Sequence, residues 1–440
     1  MITQEKEKMI CSNLSVSEKG HLLFAGQDTL ALAEKYGTPL YLMDEDRIRD
    51  RCRTYIVAMK ANLGDRGHVL YASKAASYKR LYEIMREEGM GIDVVSSGEI
   101  CTALKAKFPL ENAYFHSNNK TDADIAYAID NGIGAFVVDN AEELYAIDRE
   151  ASARGIRQSV LLRITPGIDP HTYAAVATGK VDSKFGSAIE TGQAEEMTRL
   201  ALSLGGIELK GFHCHVGSQV FDSEVYLATV DIMMGFVKLV RDKLGFVTEK
   251  LDLGGGYGVR YTEDQPEIDI AANIALVAEK LKAKAAELGI ELPHIYMEPG
   301  RSIVADAGMT LYTAGTVKRI PGYKNYLSVD GGMTDNPRFV LYGSPYTLLP
   351  AGKMFERRDF TCSVVGRCCE SGDIIQERVQ MPENIGRGDI IACLTTGAYH
   401  YSMSSNYNRI PRPPVVMLKD GESYLAVRRE TVEDLTRLDV

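Results

Sequence analysis

From about residue 68 to residue 300, short β-branched apolar runs alternate with longer amphipathic stretches. The runs are Val69–Tyr71, Ile92–Val95, Ala113–Phe115, Ala135–Val138, Val160–Ile164, Leu209–His215, Lys250–Leu253 and Ile295–Met297. Segments of helical length lie between them, among them Ser77–Glu88, Ser97–Lys107, Thr121–Asn131, Ala141–Arg154, Glu224–Lys243 and Ile268–Leu288. Short strand-to-helix connections imply parallel pairing, and eight such units predict a closed (β/α)8 barrel. Lys74, Asp93, His116, Asp139, Arg163, His215, the Gly254 turn and Glu298 fall at or near strand ends, most at the carboxyl end. Barrels of this kind carry their sites on that face.

After Asp306 the pattern changes. Thr310–Tyr312, Tyr326–Val329, Thr361–Val365, Ile390–Cys393, Val415–Leu418 and Tyr424–Val427 are separated by Gly, Pro, Asn and Asp turns, with no long helical period among them. This predicts a C-terminal, mostly antiparallel β-sandwich or barrel. The first forty residues read as short strands that join it. The expected division is a barrel over 40–306 and a β domain made of 1–39 with 307–440.

Composition narrows the function. A net charge of −10 argues against nucleic acid or an anionic membrane as the main partner. The amino terminus lacks the apolar stretch of a signal peptide, and no uninterrupted apolar span is long enough to cross a bilayer. The eight cysteines include no Cys-x-x-Cys pair, which suits reduced thiols in a cytoplasm.

Several constellations suggest chemistry. Met297-Glu298-Pro299-Gly300-Arg301 ends a buried run on a carboxylate and a guanidinium, and Lys250–Leu253 runs into Gly254-Gly255-Gly256-Tyr257-Gly258. Two such turns on successive strands, with the Ser218 hydroxyl, make a phosphate cradle of the kind found after strands 7 and 8 of barrels. Period-two alternation places Leu70, Ala72 and Lys74 on one face, so Lys74 is expected to rise from the interior into the mouth, where desolvation makes a neutral amine nucleophilic. A solvated strand-end lysine is the ordinary alternative. His213 and His215 share a face of strand 6: a hydrogen-bonded interior pair, a zinc chelate with His116 and Asp139, or an imidazole stacked on a cofactor. Arg338 and Tyr342 offer a cation and a hydroxyl suited to a carboxylate, or else a surface turn. The vicinal Cys368 and Cys369 could equally just pack.

Together these motifs resemble the fold-type III pyridoxal-phosphate decarboxylases, most closely the diaminopimelate decarboxylases. The likeness runs through Tyr71-Ala72-Ser73-Lys74-Ala75, Asp93–Glu99, Asn118-Asn119-Lys120, Ser183-Lys184-Phe185-Gly186, Gly211–Gln219, Asp252–Gly256, Glu298–Arg301, Cys369–Asp373 and Gly397-Ala398-Tyr399. Ala76 stands where the family often has Asn. The resemblance implies pyridoxal 5'-phosphate, held covalently by Lys74, with Glu298 at the pyridine nitrogen and His215 on the ring face, leaving His213 a structural role. Asp93, Ser218, Gly255, Gly256, Gly300, Arg301 and Tyr399 complete the implied cofactor set, and no metal is implied. Cys369 is the implied acid, supplied across the interface of a cytoplasmic homodimer. Arg301, Arg338, Tyr342, Glu370 and Tyr399 are the implied substrate set. The implied reaction is decarboxylation of meso-2,6-diaminopimelate to L-lysine. Relatives acting on ornithine, arginine or a carboxylated polyamine, an alanine-racemase-like enzyme, a non-catalytic carrier of the cofactor and a zinc hydrolase are the rival readings.

Overall fold

The computed structural model describes residues 9–168 and 183–440, which divide by contacts into two compact units. One unit, Asp50–Gly258 with Ile268–Ser302, contains the eight predicted strands. They are β1 (Gly67–Ala72), β2 (Gly91–Val94), β3 (Ala113–Phe115), β4 (Ala135–Val138), β5 (Gln158–Thr165), β6 (Ile207–His213), β7 (Lys250–Asp252) and β8 (His294–Met297). Each pairs in parallel with the next, and β8 pairs with β1, so the barrel closes. The short strand Ser187–Ala188 adds alongside β5.

Local sequence sets the helix boundaries between strands. Ser96, Thr121, Asn140, Asp222 and Asp269 cap helix amino termini by accepting from backbone N–H groups, and Gly245 and Gly289 end two helices in the left-handed conformation. Leu70, Tyr114, Ala135, Val137, Leu161 and Tyr296 form one buried cluster from five barrel strands. Burial of each aliphatic side chain of Val or Leu size contributes roughly 1.5–3 kcal/mol.

The other unit, Met1–Arg49 with Val259–Glu267 and Ile303–Val440, is built on a nine-stranded sheet. Its long strand Gly308–Arg319 pairs antiparallel with Leu40–Asp44, Asn325–Val329 and Ile390–Leu394. Two parallel pairs interrupt the antiparallel order, Asn325–Val329 with Phe360–Val365 and Val415–Lys419 with Leu40–Asp44. The amino-terminal segment does supply strands (Leu14–Val16, Leu22–Phe24, Gln27–Asp28), but also a helix, Thr29–Tyr36, that the pattern did not signal. The division expected at residue 40 falls later. Leu40–Asp44 lies inside the span 40–306 expected for the barrel, yet its backbone is bonded on both edges within the β unit. Ile374–Met381 also went unread, because Gln376, Glu377 and Arg378 break its apolar alternation.

Gly211 is the glycine on which the barrel seam depends. A bulge falls between Leu209 and Gly211, and a Cβ at Gly211 would stand 1.8 Å from the Lys250 carbonyl oxygen. That atom is backbone and cannot step aside. We predict that Gly211→Ala destabilises the protein by about 3 kcal/mol or more, measured by urea unfolding; a change within experimental error would show that β6 and β7 can separate at no cost.

Candidate active site

Glu298 follows β8 at the carboxyl end of the barrel and is buried. His213 Nε2 donates to its Oε2 at 3.1 Å. His116 Nε2 lies 2.7 Å from Oε1, a short contact poorly aligned for a hydrogen bond. The two imidazoles meet edge to face with centroids 4.9 Å apart. Burial alone would push a carboxyl up. Here the close approach of His116 and the hydrogen bond from His213 together outweigh it and hold Glu298 well below the usual carboxylate range. Burial drives His213 the other way, down to about 4, so it contacts Glu298 as a neutral donor.

Lys74 departs from expectation. β1 stops at Ala72, and Ser73–Ala75 form a 3₁₀ turn that leaves Lys74 exposed instead of desolvated on the interior face. The alternation failed because the strand ended two residues early. Its ammonium still acts on the mouth: it lowers the pKa of Asp93, Glu99 and His215. Asp93, on β2, is buried with Oδ1 lacking a hydrogen-bond partner, and burial raises it to about 6. His215 lies two residues past β6, and burial with the nearby Lys74 charge holds it neutral. Its Nδ1 accepts from the Gly255 N–H at 3.3 Å, which leaves the ring proton on Nε2.

An anion cradle lies beside these groups. A Cβ on Gly255 would stand 2.1 Å from the Glu298 carbonyl oxygen, one on Gly256 2.3 Å from that of Gly217, and one on Gly300 2.9 Å from Ala72 Cβ. Only glycine permits these approaches. Buried Arg301 donates through Nε and Nη2 to Ser218 Oγ, at 3.2 and 3.0 Å. The donor set of Lys74 amine, ionised Glu298, neutral His215, glycine turns and Arg301 with Ser218 fits a cofactor with an aldehyde, a basic ring and an anionic tail.

Asp139, offered as a zinc ligand, is not grouped with the histidines. Its Oδ1 lies 3.9 Å from Arg163 Nε, whose guanidinium covers the Phe185 ring at 4.3 Å. Among the described residues, the donor group that does converge is His116, His213 and Glu298, without His215. Lys120 is structural: its buried amine donates to Glu143 (2.6 Å) and to the carbonyls of Val137 and Ser117.

The remaining predicted residues belong to the β unit. Arg338 opens a one-turn helix, Arg338–Tyr342, where a surface turn was the alternative reading. It is 6% exposed, with the Tyr342 and Tyr399 ring centroids 5.0 and 4.9 Å from its guanidinium carbon. Its Nε has no hydrogen-bond partner, and among the described residues it makes no ion pair. Cys369 and Glu370 are exposed on a turn braced by Asp373, which accepts from the Cys368 and Met333 N–H groups. The Cys369 N–H donates to Asn408 Oδ1 at 2.8 Å. All eight cysteines are free thiols.

Residues 45–305 match the family described as pyridoxal-dependent decarboxylase, pyridoxal binding domain. The chain is 44% identical to the diaminopimelate decarboxylase of Bacillus subtilis over 96% of each protein. It belongs to the diaminopimelate decarboxylase family. Among solved structures, that of diaminopimelate decarboxylase from M. jannaschii in complex with L-lysine is similar at a TM-score of 0.90 and 32% identity, covering 98% of both chains. The Helicobacter pylori enzyme complexed with L-lysine is similar at 0.83 and 31%, covering 94% of this chain and 99% of that one. The cofactor of this pyridoxal-dependent family is pyridoxal 5'-phosphate.

Sequence reading missed His116 and His213 as partners of Glu298, offering both as zinc donors and, by resemblance, leaving His213 a structural role. Their signal was present, since both stand at strand ends on the mouth of the barrel. Asp93 offers a stability test. Its folded pKa lies above its ordinary value, so between about pH 4 and pH 6 the folded protein keeps a proton that the unfolded chain has released. Stability from this group therefore falls as pH rises through that window. Asp93→Asn should gain up to about 3 kcal/mol on wild type between about pH 4 and pH 8, read from urea unfolding without cofactor. A gap independent of pH would mean that Asp93 ionises normally.

Proposed function

We propose that the protein decarboxylates meso-2,6-diaminopimelate to L-lysine and CO₂, the last step of lysine biosynthesis, as a cytoplasmic homodimer with a shared active site. The observation that carries the substrate assignment is Arg338. A guanidinium buried between two tyrosine rings with no acidic partner among the described residues is a costly arrangement until an anion arrives. A distal carboxylate on the substrate supplies that anion through charge-assisted hydrogen bonds. Ornithine and arginine end in cations and leave Arg338 unmatched.

Pyridoxal phosphate, when bound, supplies the electron sink for the pair left as CO₂ departs. Lys74 provides the amine that holds the cofactor's carbonyl. Glu298, kept ionised, holds a proton on the pyridine nitrogen, and His215 presents a neutral imidazole to the ring. Ser218, Gly255, Gly256, Gly300, Arg301 and Tyr399 bind the phosphate end, and Asp93 orients the Lys74 ammonium. Arg338, Tyr342 and Arg301 receive the distal carboxylate, while Glu370 receives the distal ammonium. Cys369, from the partner subunit, delivers its thiol proton to the carbon that has lost CO₂. A net charge of −10, and the absence among the described residues of any helix able to cross a membrane, agree with a cytoplasmic setting.

Two experiments test this reading. Lys74→Ala and Cys369→Ala homodimers should each be inactive, and exchange of their subunits should restore about a quarter of wild-type activity, since half the dimers are hybrids with one intact site of two. No recovery after verified exchange would place both residues in one subunit's site. In the second, wild type should prefer meso-diaminopimelate over lysine and ornithine by roughly three orders of magnitude or more in kcat/KM, with Arg338→Ala losing most of that margin. Comparable kcat/KM for ornithine and diaminopimelate would defeat the substrate assignment.

A further inference from the structure

Asp252 ends β7 with no exposed surface. Its Oδ1 accepts from the Gly254 N–H at 2.8 Å, and the Gly254 carbonyl in turn accepts from the Glu298 N–H at 2.9 Å. This ties the Asp252 carboxyl to the residue that carries Glu298. The other oxygen, Oδ2, receives no N–H or O–H from any described residue. What faces Asp252 is the Glu298 side chain, within hydrogen-bonding reach, together with Asp93, Tyr114, Tyr296 and the Cys214 thiol. None of these is a Lys or Arg. The Arg163 guanidinium acts on Glu298, and two carboxyl groups confronting each other strongly oppose ionising together, so the one with fewer partners keeps its proton. Glu298 has the two imidazoles; Asp252 has only a backbone amide.

We infer that Asp252 is a positioning residue that works as a neutral acid, its Oδ2–H donating to the ionised Glu298. Glu298 then takes hydrogens from two sides, one from His213 on β6 and one from Asp252 on β7, which fixes the plane of the carboxylate. Burial and the Glu298 charge both keep the Asp252 proton in place, raising its pKa well above the ordinary value. For function the inference rests on the reading that Glu298 partners the pyridine nitrogen. For the protonation state it rests on the structure alone.

The test uses Asp252→Asn, Asp252→Ala and Glu298→Gln. The amide of Asn keeps a donor where the acid has one, so Asp252→Asn should hold pyridoxal phosphate within about threefold of wild type. Asp252→Ala should weaken it about tenfold or more, the scale of one hydrogen bond to a charged group. Infrared difference spectra of the cofactor-free protein, wild type minus Asp252→Asn, should show the C=O stretch of a protonated carboxyl at about pH 8, above the point at which Asp93, raised to about 6, and Glu99 and Asp335, each raised to about 7, have ionised. Glu298→Gln, which leaves residue 252 untouched, should move that band's titration to lower pH by removing the charge that opposes ionisation. Absence of the band, or an Asn variant as impaired as the Ala variant, would overturn the inference. If Glu298→Gln bound the cofactor like wild type, the pyridine reading would fail while the infrared result still decided the state of Asp252.

Discussion

A carboxylate charge that is almost sealed from solvent survives only if the fold brings partners to it, and Glu298 is that charge. Its partners come from β3 through His116 and β6 through His213, strands that are not neighbours of β8 in the sheet. They converge on Glu298 only because the barrel closes. An open sheet would leave Glu298 buried and unpaired, or exposed and ordinary. Closure of the fold and ionisation of the site are therefore one constraint.

The same economy governs the surroundings of Glu298. The glycine turn after β7 brings backbone to within a Cβ radius of the Glu298 and Gly217 carbonyls, so the site there is lined by main-chain groups. One of those groups, the Gly255 N–H, sets the tautomer of His215. Neutral imidazole and ionised carboxylate thus have their charge states set by neighbours, not by bulk pH. Asp93 stands apart from this balance, because its partners fall short of what burial takes away.

The β unit is built around a different compromise. Asp373 spends both carboxylate oxygens on backbone amides, which holds the Cys368–Glu370 turn in shape. Asn336 is fixed through His400 and sits two residues before Arg338. Arg338 itself has aromatic faces and, among the described residues, no acid. A structure selected for stability alone would place a carboxylate there. On the function proposed above, a substrate anion completes that guanidinium.

Much of this was legible in the chain. Eight apolar runs of strand length, each closing on a polar residue, determine a barrel with its site at the carboxyl ends, because period and turn chemistry are local properties. The glycine turn, Gly300-Arg301 and the motif order were enough to indicate the cofactor class. Other features belong to the tertiary structure. Leu40–Asp44 falls in the span expected for the barrel but pairs in the β unit, since strand pairing depends on which edges are available. Lys74 sits on a turn because β1 stops at Ala72 and Ser73–Ala75 turn out of the strand. The meeting of His116, His213, Asp252 and Glu298 joins residues up to 182 positions apart on four strands. Sequence spacing carries no information about which strands face each other across a closed barrel, so only the folded chain could decide it.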